Sequence, residues 1–245
     1  MGLASVVLAS CVATAPATST ARPLPSPTPT LFITTTAPTT APPSRPAAFR
    51  YVAIGASDTV GVGASDPANG SWPARVAARL PAGSSFVNLG VSGSTAAQAV
   101  REQLPAALSD RPQLVTIWLA VNDLNDGVRP ADYSNALRSL VDPLIRDTEA
   151  RIFVGTVPDL RSVPAYAGQD LAALLARITT YNAAIAAIAA ASPDRVVVVD
   201  LFAGSAALTS RGTVSKDGFH PSDDGYRIIA DRFSAAVAKA GIPVR

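Results

Sequence analysis

Cysteine and histidine are almost absent from this chain of 245 residues, which contains one of each. A single cysteine excludes a framework of disulfide bonds, and one cysteine with one histidine cannot supply a zinc site built from these ligands. Any chemistry that needs an imidazole therefore has only His220 available. We expect the protein to work without a metal ion or another cofactor.

Charged residues are also scarce, at 16% of the chain against 48% hydrophobic residues, which is too apolar for a disordered protein. Before position 50 the only charged residues are Arg22 and Arg45, so residues 50–245 carry the other 18 of the 20 basic residues and all 18 acidic ones. This balance gives no sign of a surface for nucleic acid or for an anionic membrane.

The first eleven residues have the pattern of a targeting segment. Residues 2–10 form a short uncharged apolar run that ends at Cys11, and LASC at 8–11 resembles a bacterial lipobox, whose cysteine is lipidated after cleavage before it. The run is shorter than the ~20 apolar residues that span a bilayer. We predict that residues 1–11 are a lipoprotein-type signal segment lipidated at Cys11, with an incidental cysteine as the alternative. The protein would be extracytoplasmic, held at the cell membrane only by its lipid, or else secreted.

Residues 12–49 have the composition of a tether. Of these 38 residues, 19 are proline or threonine, and such a segment cannot bury a core because proline removes backbone donors and the rest is mostly small or polar. In polyproline II conformation its reach would be at most on the order of 100 Å. The alternative is a low-complexity segment without a selected length.

Residues 50–245 have the pattern of one α/β domain. Short β-branched runs alternate with longer helical ones, which indicates a parallel sheet covered by helices on both faces. The predicted strands are 51–54, 85–89, 114–120, 152–156 and 196–200. The clearest predicted helices are 170–191 and 222–240, where apolar residues recur at three and four positions.

Polar and glycine-rich segments follow the predicted strands. Ligands bind beyond the carboxyl ends of the strands in an open parallel sheet, so these segments are the place to look for a site. They are GASD at 55–58, GVSG at 90–93, VND at 121–123 and, after a loop, DGFHP at 217–221.

These four segments resemble, in order, the sequence blocks of the SGNH (GDSL-type) hydrolases. The resemblance implies a three-layer α/β/α fold with a five-stranded parallel sheet of flavodoxin type, and a carboxylic ester hydrolase. It implies that Ser57 is the nucleophile, completed by Asp217 and His220. The N–H groups of Ser57 and Gly90 and the side-chain amide of Asn122 would form the oxyanion hole.

Two residues depart from the pattern of that family. Ala56 stands where the family usually has aspartate, and Ala120 where a glycine usually precedes the asparagine block. Both flank the expected chemistry, so they bear on the subfamily more than on the reaction.

The residue types suit this chemistry. A serine hydroxyl needs an adjacent base, and the only imidazole is His220. Asp217 would fix the tautomer of that ring and stabilise the imidazolium. Negative charge on the tetrahedral intermediate requires preorganised donors, and glycine at position 90 would let the substrate approach the backbone.

Each residue alone has a simpler explanation. Ser57 could be a helix N-cap, Gly90 a turn residue, Asn122 part of an Asx turn, and His220 an exposed residue at the start of the last helix. Together, in this order and spacing, they favour a hydrolase site.

Other catalytic motifs are missing. The sequence contains no GxSxG elbow, no SxxK pair and no GxGxxG or Walker pattern. A glycosidase with paired carboxylates would leave the block around His220 unexplained.

The sequence therefore predicts a serine esterase that acts on acyl esters of glycans or small molecules through an acyl-enzyme on Ser57, and we expect a monomer. A lysophospholipase or lipase-type acylhydrolase, or a surface-displayed binding module without activity, are the alternatives.

Overall fold

A computed structural model describes residues 47–245. The predictions for the signal segment and Cys11 lie outside the described residues, as does nearly all of the predicted tether.

The sheet contains five parallel strands in the spatial order β2-β1-β3-β4-β5. The strands are Arg50–Gly55 (β1), Ser85–Asn88 (β2), Leu114–Trp118 (β3), Arg151–Gly155 (β4) and Val196–Val199 (β5). This order is that of the flavodoxin-like doubly wound sheets. It confirms the predicted fold class and sheet.

The third strand ends two residues earlier than predicted. The chain turns out of the sheet at Ala120, whose φ of 118° lies in the left-handed region. The apolar run from 114 to 120 therefore contains both the strand and the turn that follows it.

Nine α-helices connect and cover the strands within residues 47–245. They are Ser57–Val60 (α1), Pro67–Gly70 (α2), Trp72–Ala77 (α3), Ala96–Glu102 (α4), Leu104–Asp110 (α5), Val121–Asn125 (α6), Pro130–Asp147 (α7), Leu171–Ala191 (α8) and Asp223–Lys239 (α9). The two predicted helices correspond to α8 and α9. Asp170 caps α8 by accepting hydrogen bonds from the Ala172 and Ala173 N–H groups, and Ser222 caps α9.

Helices cover both faces of the sheet, so each face has its own apolar core. Alternation along β1 places Val52 and Ile54 in one core and Tyr51 and Ala53 in the other. The first core is closed by α4, α5, α7 and α8, and the second by α3 and α9. The result is the predicted three-layer arrangement.

Helix α8 is long and apolar enough to cross a bilayer by length and composition alone. Side chains along one face of the helix are buried against the first core, among them Leu174, Ile178 and Tyr181. This helix therefore covers the sheet of the domain.

Candidate active site

Ser57 lies at the carboxyl end of β1, as the first residue of α1. The turn requires glycine at position 55, because a Cβ there would lie 1.9 Å from Thr59 Oγ1 and 2.9 Å from the Trp118 carbonyl oxygen. Ser57 is half-buried, and its Oγ lies 2.8 Å from Nε2 of His220. The nucleophile and the only imidazole predicted from the sequence are therefore in hydrogen-bond contact.

Asp217 lies on the other side of the imidazole ring. Its Oδ2 is 2.6 Å from His220 Nδ1, and its Oδ1 accepts hydrogen bonds from the N–H groups of Phe219 and His220 at 2.8 and 2.9 Å. The Ser215 hydroxyl donates to the same oxygen at 2.7 Å. The carboxylate is thus held by its own loop, and the three side chains form one hydrogen-bonded chain.

These contacts favour the ionised form of Asp217. Burial alone would raise its pKa, but the hydrogen bonds from His220, Phe219 and Ser215 hold the pKa well below its usual range. Asp217 is therefore a carboxylate at any physiological pH, as required to orient His220 through Nδ1. The Phe219 ring packs edge-on against the imidazole at 4.8 Å between centroids.

Two of the three predicted oxyanion donors lie at the cleft beside Ser57. The Ser57 N–H belongs to the first turn of α1 and has no hydrogen-bond partner within the described part of the chain. Asn122, on α6, donates one amide proton to the Ser94 carbonyl at 2.9 Å, which leaves its second proton for another acceptor. Both groups can donate to an oxyanion.

The geometry does not support the third predicted donor, Gly90. Its N–H donates to Asn88 Oδ1 at 3.0 Å, and Gly90 is not among the residues that line the cleft. A Cβ at this position would lie 3.0 Å from Thr59 Cγ2 and 3.1 Å from Asn88 Oδ1, so Gly90 is tightly packed. An asparagine two residues before a glycine can accept its N–H in an Asx turn, and this signal was present in the sequence.

Gly93, in the same segment, also lies outside the residues that line the cleft, but its backbone is exposed. The neighbouring Ser94 carbonyl accepts from the Asn122 amide, so this stretch of backbone lies beside α6. Gly93 is exposed with a φ of 80°, and its N–H has no partner among residues 47–245.

Gln103 connects these segments, and its role was not predicted from the sequence. It is only 1% exposed. Its Oε1 accepts the Gly55 N–H at 3.0 Å, and its Nε2 donates to the Gly55 carbonyl at 3.0 Å and to Ser94 Oγ at 3.1 Å. One side chain thus ties the backbone before Ser57 to the residue that contacts Asn122. The contact joins residues 48 positions apart, so no local motif could reveal it.

Asp58 follows Ser57 and also lines the cleft. Its Oδ1 accepts the Thr59 N–H at 2.7 Å. Burial raises the pKa of Asp58 to about 6, against the opposing effects of the Thr59 N–H and of His220. A carboxylate next to Ser57 therefore changes charge close to neutral pH.

The cleft itself is mainly apolar. Its walls include Trp118, Leu160, Val163, Leu208 and Phe219. The enclosed space has a volume of about 60 Å³, and it opens into a wider cleft of about 720 Å³ that includes solvent. Among residues 47–245, no group of three or more histidine, cysteine or acidic side chains is placed to hold a metal ion.

Solved structures with this fold include several esterases. An acetylxylan esterase from Geobacillus stearothermophilus is 21% identical, with 80% of this chain and 96% of that chain covered and a TM-score of 0.62. The psychrotrophic esterase EstA from a Pseudoalteromonas species is 17% identical over 78% and 97% of the two chains, with a TM-score of 0.60. A member of the lipolytic G-D-S-L family from Veillonella parvula is 16% identical over 78% and 98%, with a TM-score of 0.63.

No curated protein sequence matches the chain. The model of the GDSL-like lipase/acylhydrolase family matches residues 53–228, a span that runs from β1 into α9 and includes Ser57, Asn122, Asp217 and His220. The match covers well over half of the chain and agrees with the sheet order. The chain therefore belongs to the GDSL-like lipase/acylhydrolase family and is a carboxylic ester hydrolase.

Proposed function

We propose that the protein is a serine esterase that removes short acyl groups, such as acetyl, from glycans or small molecules through an acyl-enzyme on Ser57. The observation that carries this proposal is the hydrogen-bonded chain from Ser57 Oγ through His220 to Asp217, with distances of 2.8 and 2.6 Å. It lies at the carboxyl edge of a parallel sheet, where such folds bind their ligands.

In the first half of the reaction, His220 Nε2 takes the proton of Ser57 as Oγ attacks the ester carbonyl carbon. The oxyanion forms beside the Ser57 N–H and the Asn122 amide. The imidazolium then gives its proton to the leaving alcohol oxygen as the ester C–O bond breaks. The acyl group remains on Ser57.

In the second half, water attacks the acyl-enzyme. His220 accepts a proton from this water, and the same oxyanion donors stabilise the second tetrahedral intermediate. Collapse of the intermediate releases the carboxylic acid and returns the proton to Ser57 Oγ. Asp217 stays ionised throughout and stabilises the imidazolium.

The size of the cleft favours a short acyl group. Only about 60 Å³ of the cleft is enclosed by the apolar walls, a few times the ~10–15 Å³ that a single water molecule needs. Acetyl to butyryl chains fit this space. A long fatty acyl chain would extend into solvent and gain little from burial.

The proposed location of the enzyme also favours a polymeric or environmental ester. Lipidation at Cys11 and a tether at 12–49 would hold the domain outside the cytoplasm, within reach of cell-wall or extracellular glycans. The acetylxylan esterase from Geobacillus stearothermophilus, which shares the fold, is named for an acetylated polysaccharide.

A series of p-nitrophenyl esters of increasing chain length tests this proposal. We expect the highest kcat/KM at two to four acyl carbons and the loss of turnover in Ser57→Ala, with circular dichroism unchanged. A maximum at eight or more carbons would support a lipase-type acylhydrolase instead. If no ester is hydrolysed, the alternative of a binding module without activity remains, and a glycan array would then identify its ligand.

A further inference from the structure

A second cavity, of about 270 Å³, lies beside the catalytic cleft. We call it the Arg177 cavity, and its lining consists of Leu124, Asn125, Ala165, Tyr166, Gln169, Arg177 and Phe219. Phe219 lines both cavities and packs against His220. Helix α6 also frames both, since it carries Asn122 at the cleft and Asn125 at the Arg177 cavity. The two spaces are therefore adjacent parts of one surface.

Arg177 gives this cavity a positive charge. It is half-buried, and its Nη2 donates to the Leu124 carbonyl oxygen. Within the described chain, residues 47–245, it forms no ion pair with a carboxylate. A guanidinium has five N–H donors and no acceptor, so several donors of Arg177 stay available to a ligand.

The other polar groups of the cavity add mainly donors. Tyr166 donates its hydroxyl proton to Asn125 Oδ1 at 2.9 Å, which leaves the Asn125 amide N–H groups for a ligand. The Leu124 carbonyl is already occupied by Arg177. Gln169 contributes an exposed amide. A cation surrounded by amide donors is suited to an anion with several acceptor oxygens.

We propose that the Arg177 cavity binds a carboxylate or phosphate carried by the alcohol portion of the ester substrate. This inference rests on the proposed function, because it assigns the anion to the group that leaves after acylation of Ser57. The apolar cleft would take the acyl chain, and the anion would anchor the remainder of the substrate next to Phe219.

Three sets of acetate esters test the proposal. In each ester, a spacer of three to six methylenes connects the ester oxygen to a terminal group. One set ends in a carboxylate, one in a phosphate and one in a neutral carboxamide. At the best spacer length, we expect kcat/KM for an anionic ester to exceed that for the carboxamide by about 10- to 100-fold, the usual range for a hydrogen bond to a charged group. A preference for carboxylate or for phosphate identifies the source of the anion.

Arg177→Gln should remove this preference by lowering kcat/KM for the anionic esters toward the value for the carboxamide ester, whereas Arg177→Lys should keep part of it. Arg101→Gln is the matched control, because Arg101 is exposed and donates to a main-chain carbonyl, that of Ala97. Equal kcat/KM for all three sets in the unmodified protein, or an anion preference that persists in Arg177→Gln, would overturn the proposal.

Binding of the product alcohols separates this inference from the proposed function. Calorimetric titration with 6-hydroxyhexanoate, its phosphate counterpart and 6-hydroxyhexanamide needs no turnover. Tighter binding of an anion that is lost in Arg177→Gln supports the Arg177 cavity even if no ester is hydrolysed. Ester hydrolysis without any such binding difference would contradict the cavity's role and leave the esterase proposal intact.

Discussion

Replacing Asp58 with asparagine is expected to stabilise the folded protein at neutral pH. Burial raises the pKa of Asp58 to about 6, whereas an aspartate in an unfolded chain titrates near ~3.9. Because one pKa unit corresponds to ~1.4 kcal/mol, ionised Asp58 destabilises the fold by about 3 kcal/mol. The neutral carboxyl contributes to the free energy of unfolding. This contribution is fully present below pH ~3.9 and is lost as the pH rises through about 6.

Asparagine keeps Oδ1 as the acceptor for the Thr59 N–H, which lies 2.7 Å away in the native protein, so the substitution removes mainly the titration. Urea unfolding of the native and Asp58→Asn proteins from pH 4 to 7.5 measures the effect. We expect similar free energies of unfolding near pH 4 and an advantage of about 3 kcal/mol for the variant at pH 7.5. A difference in free energy of unfolding that does not change with pH would show that titration of Asp58 does not set the stability.

Asp223→Asn is a control of opposite sign. Hydrogen bonds from Ser65 lower the pKa of Asp223, so the native carboxylate adds stability that is present above pH ~3.9 and is lost as the pH falls below it. In urea unfolding extended below pH 4, the native protein should therefore gain stability relative to Asp223→Asn as the pH rises toward ~3.9, and the difference should then stay constant up to pH 7.5. Parallel slopes for the two variants would show that the pH dependence comes from other groups.

Four further variants test separate parts of the account. Asn122→Ala should lower kcat by ~10² to 10³ with little change in KM, and a rise in KM alone would make Asn122 a ground-state contact. Gln103→Met leaves the Gly55 N–H unpaired, so unfolding should be easier by ~1–3 kcal/mol; unchanged kcat in this variant would limit Gln103 to a structural role. Ala120→Gly relieves a positive φ and should raise stability by about 1 kcal/mol in urea unfolding, and a lower stability would contradict the strain. Cys11→Ser should release the protein from membranes without changing turnover of soluble esters, and an unmodified Cys11 in the mass spectrum of the mature protein would disprove lipidation.

The sheet was predictable because β-branched runs of strand length alternate with helical periodicity. Sequence also indicated which segments meet, since the carboxyl ends of parallel strands share one edge of the sheet. The segments at 55–58 and 217–221 accordingly meet in the hydrogen-bonded chain from Ser57 to Asp217. Candidate site residues can therefore be identified from the sequence when the chemistry requires their residue type and the topology brings their positions together.

Contacts that depend on backbone direction could not be predicted in the same way. Gly90 and Gly93 belong to one glycine-rich segment, and although the spacing of Asn88 and Gly90 is compatible with an Asx turn, only the structure shows that this turn forms and occupies the Gly90 N–H. Gln103 reaches the Gly55 backbone from the start of α5, and nothing near it in the sequence marks that contact. The end of β3 was misplaced because alanine at position 120 adopts a φ of 118°, a conformation that its residue type does not signal.

Labelling with a serine-reactive fluorophosphonate shows which serine is the activated nucleophile. The phosphonyl group bonds to a serine oxygen only where a base removes the proton, and Ser57 is the serine whose Oγ contacts His220 Nε2, at 2.8 Å. Intact-mass and peptide analysis should show one adduct per chain, on Ser57, and no adduct in Ser57→Ala or in folded His220→Ala. Labelling of Ser92 or Ser94, or ester turnover that persists in Ser57→Ala, would contradict the assignment.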